Sequence, residues 1–388
     1  MALITLKPQQ VAELVNDALK NTLGDTEDRA LLTEDLTNVV DIGTDLKNAN
    51  AYKNFVENLM VATAKYIFRF RAYTSKAPNI LRDNYEFGQL IQKIRGKLPE
   101  SQKNQSWDIE PYASYDDNIY TPNEVEVKIF SKQVGFEVRK SITNEQIKNA
   151  FTNAVELGNF VSMQFGLVQN KLTLDIDNLI YMTINNMIGE TFVADTGDDA
   201  GLRVIKLLTL YKAEKNPSST LTSETCIYDK DFLQFATAKM KEIMGMLKVY
   251  NVIFNIEHFE TFTPEDLLHF VLLEKFASNC ESFLESDTFH NEFVKLPYHE
   301  TVPFWQGIGK GTFEDKSTID IKTASGNDVK KSYIVGVMFD HDGAGVNHDK
   351  PSVETHYVKS AQFTNYWYKE LLGYFNDLSE QCVVFTTE

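Results

Sequence analysis

Residues 354–388 read ETHYVKSAQFTNYWYKELLGYFNDLSEQCVVFTTE, and the reading of this closing stretch decides the fold. Eight aromatic side chains crowd it: Tyr357, Phe363, Tyr366, Trp367, Tyr368, Tyr374, Phe375 and Phe385. It finishes on Cys382-Val383-Val384-Phe385. So apolar a run predicts a strand that enters a sheet built by earlier parts of the chain.

The partners for that strand lie upstream. Residues 333–339 (YIVGVMF) form a continuous apolar run, the pattern of a fully buried strand, ended by the turn residues 340–345 (DHDGAG). Val125, Val127 and Ile129 alternate with Glu124, Glu126 and Lys128, and Val134, Phe136 and Val138 repeat the alternation. Both segments are predicted to be extended and half-buried, forming a long projecting hairpin with the segment before them. That segment, Ser75–Thr121, is polar and broken by Pro78, Gly88, Gly96, Pro99 and Pro111; it is predicted to be a surface excursion. Residues 68–71 (FRFR) suit a strand.

Helical spacing is clearest at Val11, Leu14, Val15, Ala18 and Leu19, ended by Gly24. The acidic stretch from there to Asn50 is predicted to be an arm and not core. Thr143 and Gln146 form a capping-box pair, and the stripe Ile147, Ala150, Phe151, Ala154, Val155, Gly158, Val161, Phe165 and Val168 follows. The spacing predicts a helix over about 143–169, roughly 40 Å long. A second helix over about 175–189 should end at Gly189. Further helices are predicted over 202–213, 230–250 and 263–285, beyond a turn-rich boundary at 195–201.

Composition sets bounds. The chain has 388 residues, 43% hydrophobic and 24% charged, so it is globular and large enough for a sizeable core. Its net charge of −17 argues against gripping nucleic acid through an overall field. The charge is uneven: residues 1–50 hold nine acidic against four basic residues. Residues 69–103 invert this, with Arg69, Arg71, Lys76, Arg82, Lys93, Arg95, Lys97 and Lys103 against three acids. Such an island is either a solvated face or a basic surface for an acidic neighbour, a second copy included. Cys226, Cys280 and Cys382 are too far apart for a disulfide framework or a zinc pattern. No signal peptide or membrane span is read.

The chemical motifs are weak. Gly307-Ile308-Gly309-Lys310-Gly311-Thr312 fails the nucleotide-loop spacing. Asp340-His341-Asp342-Gly343 lacks the later oxygen ligands of a calcium loop. His341, His348 and His356 near Asp349 make a metal site conceivable, so a metal-dependent enzyme using Asp340–His356 is one alternative. No nucleophile elbow exists, and Cys280 with His290 or His299 reads as a buried thiol. No catalytic residue, cofactor or metal is assigned.

Several segments together resemble the major capsid proteins of tailed phages with the Hong Kong 97 fold, closest to those of small podoviruses. They are PNILRDNYEFGQLI (78–91), ITNEQIKNAFTNAVELGNFV (142–161), SDTFHNEFVKLP (286–297), VPFWQGIG (302–309), YIVGVMFDHDGA (333–344) and NYWYKELLGYFNDLSEQCVVF (365–385). The resemblance implies an α+β capsid fold. It implies an N-terminal arm over 1–50, an extended loop with supporting strands over 51–140, and a spine helix of the peripheral domain over 141–194. An axial domain over 195–350 and closing strands over 351–388 that return to the peripheral domain complete it. It implies an icosahedral head around double-stranded DNA, built from hexamers and pentamers of this chain in the host bacterial cytoplasm. A separate scaffolding protein, a portal and weak non-specific contact with packaged DNA would be its other partners. A tail or portal-associated protein is the other structural alternative.

Overall fold

The computed structural model describes residues 8–23, 31–48, 77–82, 91–101, 124–146, 154–285, 296–306, 311–348 and 352–388, with short pieces between 51 and 59 and between 104 and 122. In chain order the elements are α1 (Pro8–Leu23), α2 (Val39–Asn48), β1 (Leu81–Arg82), β2 (Ile91–Gly96), β3 (Val125–Phe130), β4 (Gln133–Thr143) and α3 (Ala154–Ala194). There follow β5 (Val204–Lys206), α4 (Leu207–Glu214), α5 (Lys230–Leu247), β6 (Leu268–Leu273), α6 (Glu274–Glu285), β7 (Glu300–Val302) and α7 (Phe313–Lys316). The chain closes with β8 (Ile319–Lys322), β9 (Asp328–Lys331), β10 (Ile334–Asp340), β11 (Ala344–His348), β12 (Ser352–Val358), β13 (Phe363–Asn376) and β14 (Cys382–Thr386).

The capping box forms as its residue types require. The Thr143 amide donates to Gln146 Oε1 at 3.0 Å and the Gln146 amide to Thr143 Oγ1 at 3.3 Å. Helical backbone begins at Asn144. Over the described residues α3 then runs 41 residues without a break, about 60 Å. The two expected helices are therefore one, because no glycine or proline lies between 167 and 175 to separate them. Gly189 does not stop the helix. A Cβ there would sit 2.9 Å from Thr323 Cγ2 and 3.0 Å from Ile321 Cδ1, so glycine admits the β8–β9 hairpin against the helix.

Helix α3 touches both main sheets. In the first sheet, β13 pairs antiparallel with β4 along one edge, and with β11 and then β12 along the other; β1 adds parallel to β11. The second sheet has the order β5-β14-β10-β6-β7. Here β10 and β14 are buried at every position, as continuous apolar runs demand. The closing segment therefore divides between the sheets. β13 belongs with β4, whereas β14 pairs with β5 and β10 of the 195–350 segment.

Three readings of the sequence need correction. Residues 202–213 contain strand β5 before helix α4, and 263–285 contain strand β6 before helix α6. In LHFVLL (268–273) a short apolar run fits either period, and pairing with β10 settles it as strand. The stretch expected to be an arm outside the core buries Leu32, Leu36, Val39, Ile42 and Leu46. They join Val11, Leu14 and Val15 of α1 in a cluster with Ile142, Val168, Leu172, Tyr366 and Tyr368. Their spacing of three to four residues was helical, but the many acids between them disguised it.

Candidate functional site: a ribbon clasped by its charged face

Strands β2 and β3 form a two-stranded antiparallel ribbon, with Lys93 opposite Lys128, Ile94 opposite Val127 and Arg95 opposite Glu126. Alternation sends Lys93, Arg95 and Lys128 to one face, and Ile94, Val125, Val127 and Ile129 to the other. The half-buried face is the charged one. Ile94, Val127 and Ile129 are 63%, 49% and 61% exposed. Of the two segments expected to form the hairpin, β3 pairs with β2 whereas β4 pairs with β13. The apolar side that was expected to be half-buried points outward.

The seat of the charged face is the turn between β13 and β14. Asp377 shapes that turn by accepting from the Ser379 amide at 3.1 Å and the Ser379 hydroxyl at 2.7 Å. Lys93 Nζ donates to Asp377 Oδ2 at 2.7 Å and also to Glu380. Lys128 Nζ reaches Asp377 Oδ1 at 3.0 Å and also Glu257. Arg95 pairs with Glu380, donates to Ser379 Oγ at 3.0 Å, and lies 5.1 Å from the centre of the Phe259 ring. The Asp377 side chain is fully buried. Burial alone would raise its carboxyl, but Lys93, Ser379 and Lys128 outweigh that and hold it well below the ordinary range. Lys128 shows the matching response: burial opposes its charge, yet Glu257 and Asp377 raise it above the usual lysine value.

A second attachment lies beside the first. Arg82 in β1 donates to the His341 carbonyl at 2.7 Å and to Asp342 Oδ1 at 2.9 Å, and rests over the Phe375 ring. Carboxylate oxygens of Asp340, Asp342 and Glu380 lie within 4.8 Å of one another, and among the described residues they alone form a group suited to a metal. Arg82, Lys93 and Arg95 already balance Asp342 and Glu380.

Of the basic island, Arg82, Lys93 and Arg95 are thus engaged by acids of their own chain, and Lys97 pairs with Glu124 at 2.8 Å across the ribbon. Arg69, Arg71, Lys76 and Lys103 lie outside the described residues. Among the described residues the Asp340–His356 cluster is not assembled; Asp349 lies outside them. His341 is 2.9 Å from His269, just before β11, whereas His356 sits on an exposed position of β12. Their strands pair with β13 at Asn376 and Asn365, eleven residues and roughly 35 Å apart. Cys226, Cys280 and Cys382 are buried, and burial pushes each thiol up to about 12. Asp377, Glu380, Glu257 and Lys128 were not anticipated. For Asp377 and Glu380 the only signal was the polar break Asp377–Gln381 between two apolar runs, which reads as solvent-facing turn, and for Lys128 only the strand alternation.

The family model described as Phi29-like phage major capsid protein matches residues 15–386. The chain belongs to that family. It is a major capsid protein that forms the phage head, located in the virion, and its copies associate with one another. A comparison with curated proteins finds no match. Among solved structures, one described as the head fiber and inner core protein gp22 of native bacteriophage P68 is 9% identical, covering 80% of this chain and 83% of that one with a TM-score of 0.50. The capsid of Staphylococcus phage Andhra is 10% identical, covering 80% and 83%, with a TM-score of 0.46. The capsid of cyanophage P-SCSP1u is 12% identical, covering 79% and 86%, with a TM-score of 0.46. At 9% identity the likeness to the phage P68 structure concerns the fold alone, which is Hong Kong 97-like.

Proposed function

We propose that this capsid protein builds a closed icosahedral shell of hexamers and pentamers around double-stranded DNA, and that the β2–β3 ribbon is its reaching element. The inverted ribbon carries this reading. Fully burying a Val or Ile side chain is worth about 1.5–3 kcal/mol, yet β3 leaves three of them in water and turns its charges inward. That arrangement suits a surface completed by a neighbouring copy. The charged face then registers the ribbon on its own chain, and the apolar face supplies area between copies. The contact with the neighbour thus shifts from Arg82, Lys93, Arg95 and Lys97 to the opposite face. Arg69, Arg71, Lys76 and Lys103 remain candidates for the charged contact first inferred from the basic island.

The division into an N-terminal arm (1–50), extended loop and strands (51–140), spine helix (141–194), axial domain (195–350) and closing strands (351–388) is kept as part of this proposal. Two changes follow from the packing: the arm is bundled on its own chain, and β14 joins the axial part. A scaffolding protein and a portal would be separate partners, assembly would occur in the host bacterial cytoplasm, and the protein would have no catalytic role. An acidic chain favours loose, non-specific contact with packaged DNA. Electron microscopy of particles from cells producing the chain with its phage's other head proteins tests this reading. Closed shells dominated by this chain are expected; tubes, rings or no particles would refute it.

A further inference from the structure

We propose that a second, separate surface joins copies of this chain: the loop after α5, at Met246–Phe262. The inference rests on the capsid reading for its partner and on the loop's own structure for its position. From Val249 to Ile256 the sequence VYNVIFNI carries no charge, in a chain where 24% of residues are charged. Met246, Val249, Tyr250, Val252, Ile253 and Phe262 are all exposed, Val249 at 64% and Tyr250 at 54%. The rings of Tyr250 and Phe262 touch, with centroids 4.5 Å apart. Together these side chains offer several hundred Å² of apolar surface, an extent that marks an interaction site.

The loop is held so that these side chains cannot fold inward. Asn251 and Thr261 bridge it with two backbone bonds of 3.0 and 3.2 Å. The buried Asn255 side chain accepts from the Phe259 amide at 2.7 Å and donates to the Phe259 carbonyl at 2.6 Å. Arg203, 1% exposed, lies beneath and donates to the carbonyls of Ile253 and Asn255 at 3.3 and 3.1 Å. The Cys382 amide donates to the Phe254 carbonyl at 2.8 Å and ties the loop to β14. A rigid loop loses little entropy when a partner covers it.

Charge selects the occupant. Each copy carries −17, so copies repel through most of their surface. The uncharged core of the patch, Val249–Ile256, lets two copies approach there with little of that repulsion, and the exposed Lys248, Glu257 and Glu260 lie outside that core. The loop is also continuous with the clasp, since Glu257 holds Lys128, Phe259 holds Arg95, and Thr261 donates to Glu380 at 3.4 Å. The occupant is therefore a second copy of this chain.

Two variants test the surface in particles made with the other head proteins. With all three native cysteines buried, Val249→Cys places one exposed thiol on the patch. Its maleimide labelling should be at least tenfold slower in particles than in unassembled chain; equal rates would overturn the proposal. Replacement of Tyr250 by p-benzoylphenylalanine should give, on illumination of particles, an adduct of twice the chain mass. No adduct, or one with a different head protein, would assign the patch away from a second copy and overturn it. If the unaltered chain makes no particles, the capsid reading fails and this inference falls with it; particles whose patch stays open refute this inference alone.

Discussion

Strands β3 and β4 are close in sequence and share one alternation of apolar and charged residues, yet they bury opposite faces. In β4, Val134, Phe136, Val138 and Ile142 face inward and Glu137 and Arg139 face water. In β3, Val125, Val127 and Ile129 face water while Lys128 is held by Asp377 and Glu257. The difference lies in what each strand meets. β4 lies along the aromatic strand β13, whose buried Tyr366 and Tyr368 give its apolar side a dry surface. β3 and its partner β2 meet a turn carrying Asp377 and Glu380, and an acidic seat can be buried only against cations. Alternation announces two faces; the opposing surface chooses between them.

The largest way to break this contrast is Asp377→Asn. It takes the shared carboxylate from Lys93 and Lys128, which keep Glu380 and Glu257, and each charged hydrogen bond lost costs about 1.5–3 kcal/mol. Urea unfolding should show that drop, with faster proteolysis of the ribbon; an unchanged midpoint would mean that the clasp does not hold it. The same carboxyl has a pH signature. Its folded value lies below its unfolded value of about 3.9, so its contribution is complete above that unfolded value and is lost as pH falls through the lowered folded value. Between pH 5 and 2 the wild-type midpoint should fall more steeply than that of Asp377→Asn.

Next in size is the paired test of the two strands. Ile142→Ala in β4 removes a side chain only 1% exposed and should cost about 2–5 kcal/mol. Ile129→Ala in β3 should stay within about 0.5 kcal/mol in the unassembled chain and lower particle yield instead. Equal costs by thermal or urea unfolding would erase the distinction. Gly189→Ala should cost about 1–3 kcal/mol by overpacking α3 against Thr323 and Ile321, and trimming Ile321 to Val should restore part of it. A modest effect belongs to the cap that follows β4: Thr143→Ala should lose about 1 kcal/mol, with no change in how the ribbon is held.

Much of the architecture was readable before any coordinates. The β-branched apolar runs at 333–339 and 382–385 read as buried strands, the Thr143–Gln146 pair as the opening of a helix, and the α1 stripe as a face turned to a core. Each is a local pattern carried by adjacent residues. The clasp was hidden because its acids sit in a polar turn and its cations in a polar excursion, both of which look like solvated surface when read alone.

The amino-acid order by itself determined that 334–339 and 382–385 would be strands, that a helix opens after Thr143, and that β3 would have one charged and one apolar side. The tertiary structure alone decided which side was buried, that LHFVLL became a strand, and that 32–46 joined a core. Those outcomes depend on the surface brought opposite each segment. That surface comes from residues far away in the chain, whose charge and shape no local periodicity records.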